Sequence, residues 1–286
     1  MLTIGFIGAG ITGTALAVRL SQQGYPVNAV ASRTLTSAEN FARRINGCHS
    51  YKAAQEVADK AQLIFITTPD DVISTVAAAV QWHKDQYVVH CSGAHSTDIL
   101  ETVDKNGAVT GCFHPLQTFA GIEQAIENIP GSTFAIEAGE TLTTILKDMA
   151  TAMNGDYVIL RAGDKVLYHA AAVLACNYLV TLVKLATDLW QEFGSTPADG
   201  IKALMPLLRG TLSNIERVGL PDCLTGPIAR GDLGTIEKHL QALEEKTPAL
   251  LSSYRELGLQ TVPIAEAKGE ISTERVEALK ALLKSN

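Results

Sequence analysis

The chain has 286 residues with a formal net charge of −7, and 47% of its residues are hydrophobic while 19% are charged. This apolar content suffices for a buried core and argues against a disordered chain. The acidic balance, with no run of Lys or Arg, argues against nucleic acid or an anionic membrane as partners. Five scattered cysteines without a Cys-x-x-Cys pair are typical of reduced thiols, which excludes disulfide scaffolds and zinc ribbons.

The sequence predicts a soluble, cytoplasmic protein. Residues 2–18 are apolar, but no basic residue precedes them as it would in a signal peptide. The apolar segment 170–183 is interrupted by Asn177 and soon followed by Lys184 and Asp188, so we expect no membrane-spanning helix there.

Short apolar or β-branched runs alternate with segments of helical spacing in the first half of the chain. Strands are predicted at residues 2–7, 27–31, 63–67, 87–91, 109–113, 133–136 and 157–160. Helices are predicted at residues 11–23, 37–45, 53–59, 70–80 and 141–153. Because short right-handed crossovers join parallel strands, this rhythm predicts an α/β Rossmann fold with a doubly wound, mainly parallel sheet.

Beyond residue 160 the pattern is helical only. Helices are predicted at residues 164–193, 197–218, 232–245, 247–257 and 272–284, with Gly and Pro clusters between some of them. We therefore predict two domains: residues 1–161 bind NADP, and residues 162–286 form an all-helical domain for substrate binding and dimerisation. The alanine-rich face of the first long helix predicts a homodimer through this second domain.

A G-x-G-x-x-G pattern lies between the first predicted strand and the first predicted helix, at Gly8, Gly10, Ile11, Thr12 and Gly13. In dinucleotide-binding folds the first glycine makes the tight turn, the second admits the pyrophosphate, and the third lets helix and strand pack closely. The helix N-terminus then faces the diphosphate. The alternative is a tight strand-to-helix turn without a ligand.

The end of the second strand indicates which cofactor binds. An acidic residue there would bond the 2′-hydroxyl of NAD, but none occurs before Glu39. Instead Ser32, Arg33 and Thr34 offer two hydroxyls and a guanidinium, which suit the 2′-phosphate of NADP(H). The alternative is an ordinary solvated arginine.

Two further loops are predicted at the same edge of the sheet, where ligands of open α/β folds bind. One contains Thr68 and Pro69, and the other contains Ser92 and Gly93. We expect both to contact the cofactor, with Ser92 also near the substrate. Helix-capping or turn hydroxyls are the alternative roles for Thr68 and Ser92.

Three basic side chains are candidates for proton transfer. His114 follows a predicted strand, and its imidazole titrates near neutrality; a turn histidine bonded to backbone is the alternative. Lys165 and His169 lie four residues apart and therefore share one helix face, where burial would lower the pKa of the lysine. Their alternative roles are a solvated lysine and a partly buried, satisfied histidine.

Other candidate sites are weaker. Arg230 could bind a substrate carboxylate or lie free at the surface, and the nearby Asp232 is expected to cap a helix. His90, Cys91 and His95 do not predict a metal site, because a strand alternates its side chains between two faces and no carboxylate stands near.

Five segments together resemble a little-characterised family of Rossmann-like NADP oxidoreductases over nearly the whole chain. They are the glycine fingerprint with Ser32-Arg33, Cys91-Ser92-Gly93-Ala94-His95, His114-Pro115-Leu116-Gln117-Thr118-Phe119, Asp164-Lys165 with Tyr168-His169-Ala170-Ala171, and Thr225-Gly226-Pro227 with Arg230-Gly231-Asp232. The resemblance implies an N-terminal domain similar to deazaflavin-dependent NADP oxidoreductases and a C-terminal domain similar to the helical domain of 6-phosphogluconate dehydrogenase.

The wider superfamily resembles this chain in opening its second domain with a helix that bears a catalytic lysine and an asparagine four residues later. Lys165 matches that lysine, but His169 replaces the asparagine, so the usual hydroxyacid substrates are not implied. His114-Pro115 resembles the His-Pro pair of prephenate dehydrogenases, although the following residues differ. Pyrroline-5-carboxylate reductase resembles only the first domain.

These observations predict an NADP(H)-dependent oxidoreductase that moves a hydride between nicotinamide and a C=O or C=N carbon of a small, carboxylate-bearing metabolite. Alternatives are a non-catalytic NADP(H)-binding sensor or interaction protein, and an enzyme similar to prephenate dehydrogenase or imine reductase. The sequence leaves open the substrate, the direction and stereochemistry of transfer, and which of Lys165, His169 and His114 donates the proton.

The first test concerns cofactor choice. Replacing Arg33 with Asp should reduce the preference for NADPH over NADH about tenfold or more, since a charge-assisted contact to phosphate contributes roughly 1.5 to 3 kcal/mol. Calorimetric titration of both cofactors measures the ratio. Equal affinity of the unmodified protein for NADPH and NADH would contradict the assignment.

Overall fold

A doubly wound sheet of eight strands occupies the first part of this computed structural model, which describes residues 1–284. Its strands are β1 (Ile4–Ile7), β2 (Val27–Ala31), β3 (His49–Tyr51), β4 (Leu63–Ile66), β5 (Tyr87–His90), β6 (Val109–Leu116), β7 (Thr133–Ala138) and β8 (Asp156–Ile159). They are ordered β3-β2-β1-β4-β5-β6-β7-β8, and all neighbours pair in parallel except β6 and β7. The predicted fold class is confirmed.

Helices cover the sheet and continue beyond it. The first eight are α1 (Ile11–Gln22), α2 (Leu35–Ala42), α3 (Ala54–Ala58), α4 (Ile73–Ala78), α5 (Glu101–Lys105), α6 (Ile122–Asn128), α7 (Glu140–Ala152) and α8 (Asp164–Ala172). The remainder are α9 (Tyr178–Gln191), α10 (Pro197–Val218), α11 (Leu233–Lys246), α12 (Pro248–Lys268) and α13 (Thr273–Lys284). A π-helical turn, Val173–Asn177, separates α8 from α9.

The chain forms two compact units, of which the first ends at Cys176 and the second begins at Asn177. A row of aromatic rings crosses the sheet of the first unit: Phe6 stacks on Phe65 at 5.1 Å between centroids, and Phe113 stacks on Phe134 at 4.5 Å. These rings are fully buried, so the sheet has a rigid core beneath its edge loops. The second unit has its own core, formed by Ile236, Leu240, Val262, Val276, Leu279 and Leu283 of α11, α12 and α13.

Several predicted elements were wrong in detail. The sequence analysis missed β3, α5 and α6, which are short and carry weak periodicity. It ended a helix at residue 257, whereas α12 continues through Pro263 to Lys268 because it packs against α13 and α11. It also ended a strand at residue 113, whereas β6 continues to Leu116 because the antiparallel β7 extends the ladder to the pair Leu116 and Thr133.

One helical stretch of the described chain, Asp164–Gln191, is long and apolar enough to cross a membrane by length and composition alone. It is longer than residues 170–183, which the sequence pattern indicated to be too short for a membrane-spanning helix. None of its apolar window is buried within the chain. A single such stretch is weak evidence for a membrane, because exposed apolar helix faces are also the surfaces that a partner chain covers.

Candidate functional site

The glycine fingerprint forms a tight turn that is tied to two neighbouring strands. Gly8 has φ = +115°, a value that other residues rarely adopt, and its N–H donates to the carbonyl of Ala31 at 2.8 Å. The Thr67 hydroxyl donates to the carbonyl of Gly8, also at 2.8 Å. The ends of β1, β2 and β4 are therefore held together at one edge of the sheet. The sequence analysis did not identify this role of Thr67.

The glycine turn leaves open space beside Gly10, where the fingerprint requires room for a pyrophosphate. A Cβ added to Gly10 would meet only the carbonyl oxygen of Thr67, at 3.9 Å, whereas a Cβ on Gly13 would collide with the Thr67 side chain. Gly13 thus permits close packing of helix and strand, and Gly10 leaves room for a ligand. Ile11 and Thr12 begin α1, whose free N–H groups lie beside this space.

The residues after β2 are accessible from solvent. Ser32 is half-buried, and Arg33 and Thr34 are exposed. Thr34 caps α2, since its hydroxyl accepts from the N–H of Ser37 at 3.3 Å. Within residues 1–284 no carboxylate forms an ion pair with Arg33, so its guanidinium is available to an anion.

The loop after β4 contains Thr68 and Pro69. The Thr68 hydroxyl is buried and has no hydrogen-bond partner among the described residues. An unsatisfied buried hydroxyl costs free energy unless a ligand or water bonds to it. Thr68 is therefore better suited to a ligand contact than to a cap.

Every polar atom of Ser92 takes part in a hydrogen bond. Its N–H donates to Nδ1 of His90 at 3.2 Å, and its hydroxyl donates to Oδ2 of Asp70 at 2.7 Å. The same hydroxyl accepts from the backbone N–H groups two and three residues later, at 3.2 and 3.1 Å. Its carbonyl accepts from Nζ of Lys165 at 2.6 Å. Ser92 thus fixes the turn that precedes Gly93, and Asp70 and His90 are positioning residues that the sequence analysis missed.

Lys165 is 1% exposed and lies under this turn. Besides the Ser92 carbonyl, its Nζ contacts the Sγ of Cys112 at 2.9 Å and lies 5.8 Å from the ring centroid of Tyr168. Burial raises the pKa of Cys112 to about 11, so its thiol is neutral at neutral pH. The lysine is not the solvated side chain of the alternative interpretation.

His114 and His169 meet at Gly93. A Cβ on Gly93 would lie 2.8 Å from Nε2 of His114 and 2.7 Å from Nδ1 of His169. Only glycine fits here, because any side chain would displace both imidazoles. Lys165 and His169 do share one face of α8, and that face is turned toward the Ser92–Gly93 turn. His114 lies within β6 rather than after it.

The electrostatics of the site keep two imidazoles neutral. Burial, followed by the charges of Lys165 and His169, lowers the pKa of His114 to about 3. Burial also lowers the pKa of His90 to about 3, with Lys165 as the next cause. Neither side chain therefore carries a positive charge at neutral pH.

Glu137 binds the loop that follows β5 at its C-terminal end. This buried carboxylate of β7 accepts hydrogen bonds from the Ser96 hydroxyl and from the N–H and hydroxyl of Thr97, the latter two at 3.3 and 3.0 Å. Its other oxygen, Oε2, is buried without a partner in the described chain. An acidic residue inside the apolar strand Thr133–Ala138 was the signal that could have identified it.

The remaining candidates lie elsewhere or are not supported by geometry. Arg230 belongs to the second unit and is exposed in the turn before α11. Asp232 caps that helix, since its Oδ1 accepts from the N–H of Thr235 at 3.1 Å. Among residues 1–284 no group of three His, Cys, Asp or Glu side chains is placed to hold a metal ion.

Two family models match the chain. Residues 1–115 match a Rossmann-like domain, and residues 132–261 match a domain of unknown function, DUF2520. The chain thus combines a Rossmann-like domain with a DUF2520 domain. No curated protein sequence matches the chain.

Solved structures share the fold along the whole chain. Protein TM1727 from Thermotoga maritima is 27% identical with a TM-score of 0.76, and the match covers 93% of this chain and 99% of that protein. BF3122 from Bacteroides fragilis, assigned as an NADP oxidoreductase, is 24% identical with a TM-score of 0.69 and coverages of 94% and 98%. A reductive aminase from Aspergillus terreus in complex with NADPH and ethyl-5-oxohexanoate is 18% identical, with a TM-score of 0.61 and coverages of 99% and 93%.

The geometry of the fingerprint generates a second test. Replacing Gly10 with Val should abolish NADPH binding without unfolding the chain, because the added side chain meets only open space in the protein but fills the room for a pyrophosphate. Calorimetric titration with NADPH and the thermal midpoint of unfolding measure the two effects. A folded variant with unchanged NADPH affinity would show that the turn serves packing alone.

Proposed function

We propose that this protein is an NADP(H)-dependent oxidoreductase that transfers a hydride to or from a C=O or C=N carbon of a small metabolite. The observation that carries the proposal is the placement of two features at one edge of the sheet. The glycine turn offers a place for a dinucleotide, and the Ser92–Gly93 turn after β5 brings Lys165, His169 and His114 together. The NADP oxidoreductase among the similar structures supports it.

The residues present fit NADP(H). The open space at Gly10 and the N-terminus of α1 suit the diphosphate, and the unpaired guanidinium of Arg33 suits a 2′-phosphate. The unsatisfied hydroxyl of Thr68 provides a further hydrogen bond. When bound, the nicotinamide supplies or accepts the hydride.

The chain itself must orient the substrate and handle one proton. Reduction of C=O or C=N places a hydride on carbon, moves the π electron pair to oxygen or nitrogen, and requires one proton there. We propose His169 as the donor of that proton, because its Nδ1 is buried at Gly93 without a partner in the described chain. Lys165 and His114 are the other candidates, and Lys165 also holds the turn through the Ser92 carbonyl.

We expect the substrate to carry a carboxylate. Lys165 places a positive charge beneath the Gly93 turn, and this charge attracts an anionic group. Arg230 of the second unit stays a predicted carboxylate-binding residue in its own right.

We also propose that the protein is a homodimer through its helical unit. Large apolar side chains are exposed on α9 and α10: Tyr178, Val180, Leu182, Ile201, Leu207, Leu212, Ile215 and Val218. Exposed apolar surface of this extent is typical of a surface that a partner covers, and a second copy presents the same helices.

Replacing Lys165 with Met tests whether its buried ammonium contributes to turnover. The variant keeps the aliphatic stem but lacks the charge, so NADPH affinity should stay close to wild type while turnover falls on the order of a hundredfold. The measurement is NADPH oxidation with a panel of small oxo acids, ketones and cyclic imines. Tight NADPH binding with no turnover of any compound by the wild-type protein would instead support a non-catalytic sensor.

Replacing Leu207 and Leu212 together with Glu tests the dimer. Burying two charges in an apolar interface is costly, so the variant should be monomeric by light scattering after gel filtration, where the wild type is dimeric. Lys202→Glu, which lies on the other face of the same helix and changes the net charge by the same amount, is the matched control and should stay dimeric. A monomeric wild-type protein would contradict the proposal.

A further inference from the structure

A tyrosine lies against the catalytic candidate His114. The hydroxyl of Tyr168 is 2.8 Å from Nδ1 of His114, and the two rings meet edge to face at 5.6 Å between centroids. The opposite nitrogen, Nε2, lies on the side of Gly93. One nitrogen of His114 is therefore bonded within the protein, and the other lies at the Gly93 turn.

The protonation states of His114 and Tyr168 determine whether Nε2 of His114 donates or accepts a hydrogen bond. With its pKa near 3, His114 carries one proton at neutral pH. Burial raises the pKa of Tyr168, so its hydroxyl keeps its proton as well. An imidazole nitrogen accepts more strongly than a phenol oxygen, so the tyrosine hydroxyl donates to Nδ1. The proton of His114 then lies on Nε2, which becomes a hydrogen-bond donor at Gly93.

His169 contributes a second nitrogen at the same place. Its Nδ1 is buried, has no partner among the described residues, and lies as close to the Gly93 Cβ position as Nε2 of His114 does. The two nitrogens are near enough for one ligand atom to bond with both. Such an atom would satisfy a buried nitrogen whose lack of a partner is otherwise unfavourable.

The charges around His114 and His169 favour a ligand atom that carries partial negative charge. From α8, the ammonium of Lys165 acts on His114 as a positive charge, and so does His169. From β6, the Cys112 thiol is neutral. The nearest carboxylates bond elsewhere: Asp70 to Ser92, and Glu137 to the loop at residues 96–97. The remaining neighbour, His90 of β5, is also neutral.

The geometry points to a carbonyl oxygen bound between His114 and His169 beside Gly93, with Tyr168 as the positioning residue that directs the Nε2 proton of His114 toward it. This inference rests on the proposed NADP(H)-dependent function and narrows its substrate from C=O or C=N to ketones and aldehydes, or to alcohols in reverse. The Nε2–H donor of His114 and the positive charge of Lys165 stabilise the negative charge that develops on oxygen. They disfavour the cationic iminium form of an imine.

Nitrogen NMR of the full chain with labelled histidines tests the arrangement without any substrate. His114, assigned by its loss in His114→Gln, should be neutral down to about pH 5 and carry its proton on Nε2. Tyr168→Phe should redistribute the proton between the two nitrogens, and Lys165→Met should raise the pKa of His114 toward its ordinary value of about 6.5. A proton on Nδ1, or protonation of wild-type His114 near pH 6, would overturn the inference.

Kinetics tests the substrate class. Ketones or oxo acids should exceed matched cyclic imines in kcat/KM, and Tyr168→Phe should lower kcat about tenfold with little effect on the KM for NADPH. His114→Gln, which retains an N–H donor, should keep more activity than His114→Ala. Faster reduction of imines would overturn the inference, while turnover of neither class would contradict the proposed function and leave the NMR result to judge the histidine arrangement.

The second unit offers a matched control. The Tyr254 hydroxyl lies 2.8 Å from Nδ1 of His239, and their rings also meet edge to face, at 5.9 Å. Tyr254→Phe removes the same kind of hydrogen bond, so it should leave kcat and kcat/KM unchanged. An equal loss of activity in Tyr254→Phe and Tyr168→Phe would show that the effect is structural and would overturn the positioning role.

Discussion

The buried ammonium of Lys165 on the carbonyl of Ser92 is the interaction on which the candidate site depends. Moving an ammonium out of water costs several kcal/mol, so it must be offset by close polar contacts. The Ser92 carbonyl and the Cys112 thiol provide them at 2.6 and 2.9 Å. This contact joins α8 to β6 and to the loop after β5, and the charge of Lys165 is the second cause, after burial, of the lowered pKa values of His114 and His90.

The other polar contacts converge on the same turn. Asp70 and His90 bond Ser92 from one side, and Glu137 bonds the loop at Thr97 from the other. The turn is therefore held at both ends while Gly93 between them carries no side chain. The bare Gly93 backbone lets the imidazoles of His114 and His169 approach the turn closely.

The nucleotide-binding features could be predicted because they are local in sequence. The fingerprint turn from Gly8 to Gly13 follows one strand and opens one helix, and its glycines have the spatial roles that their spacing indicates. The spacing of Lys165 and His169 likewise placed them on one face. The carboxylates that hold this loop could not be found in this way, because Asp70 follows β4 and Glu137 lies in β7, and both reach the loop only after the sheet has formed. Short elements such as β3 were missed because three residues carry too little periodicity.

The most direct test of the account is a crystal structure of the protein with NADPH. The account predicts that the diphosphate lies at the turn from Gly8 to Gly13 and that the 2′-phosphate contacts Arg33. It also predicts that the nicotinamide ring lies against Gly93, within reach of His114 and His169. A nicotinamide directed away from α8, or a diphosphate bound away from the glycine turn, would contradict it.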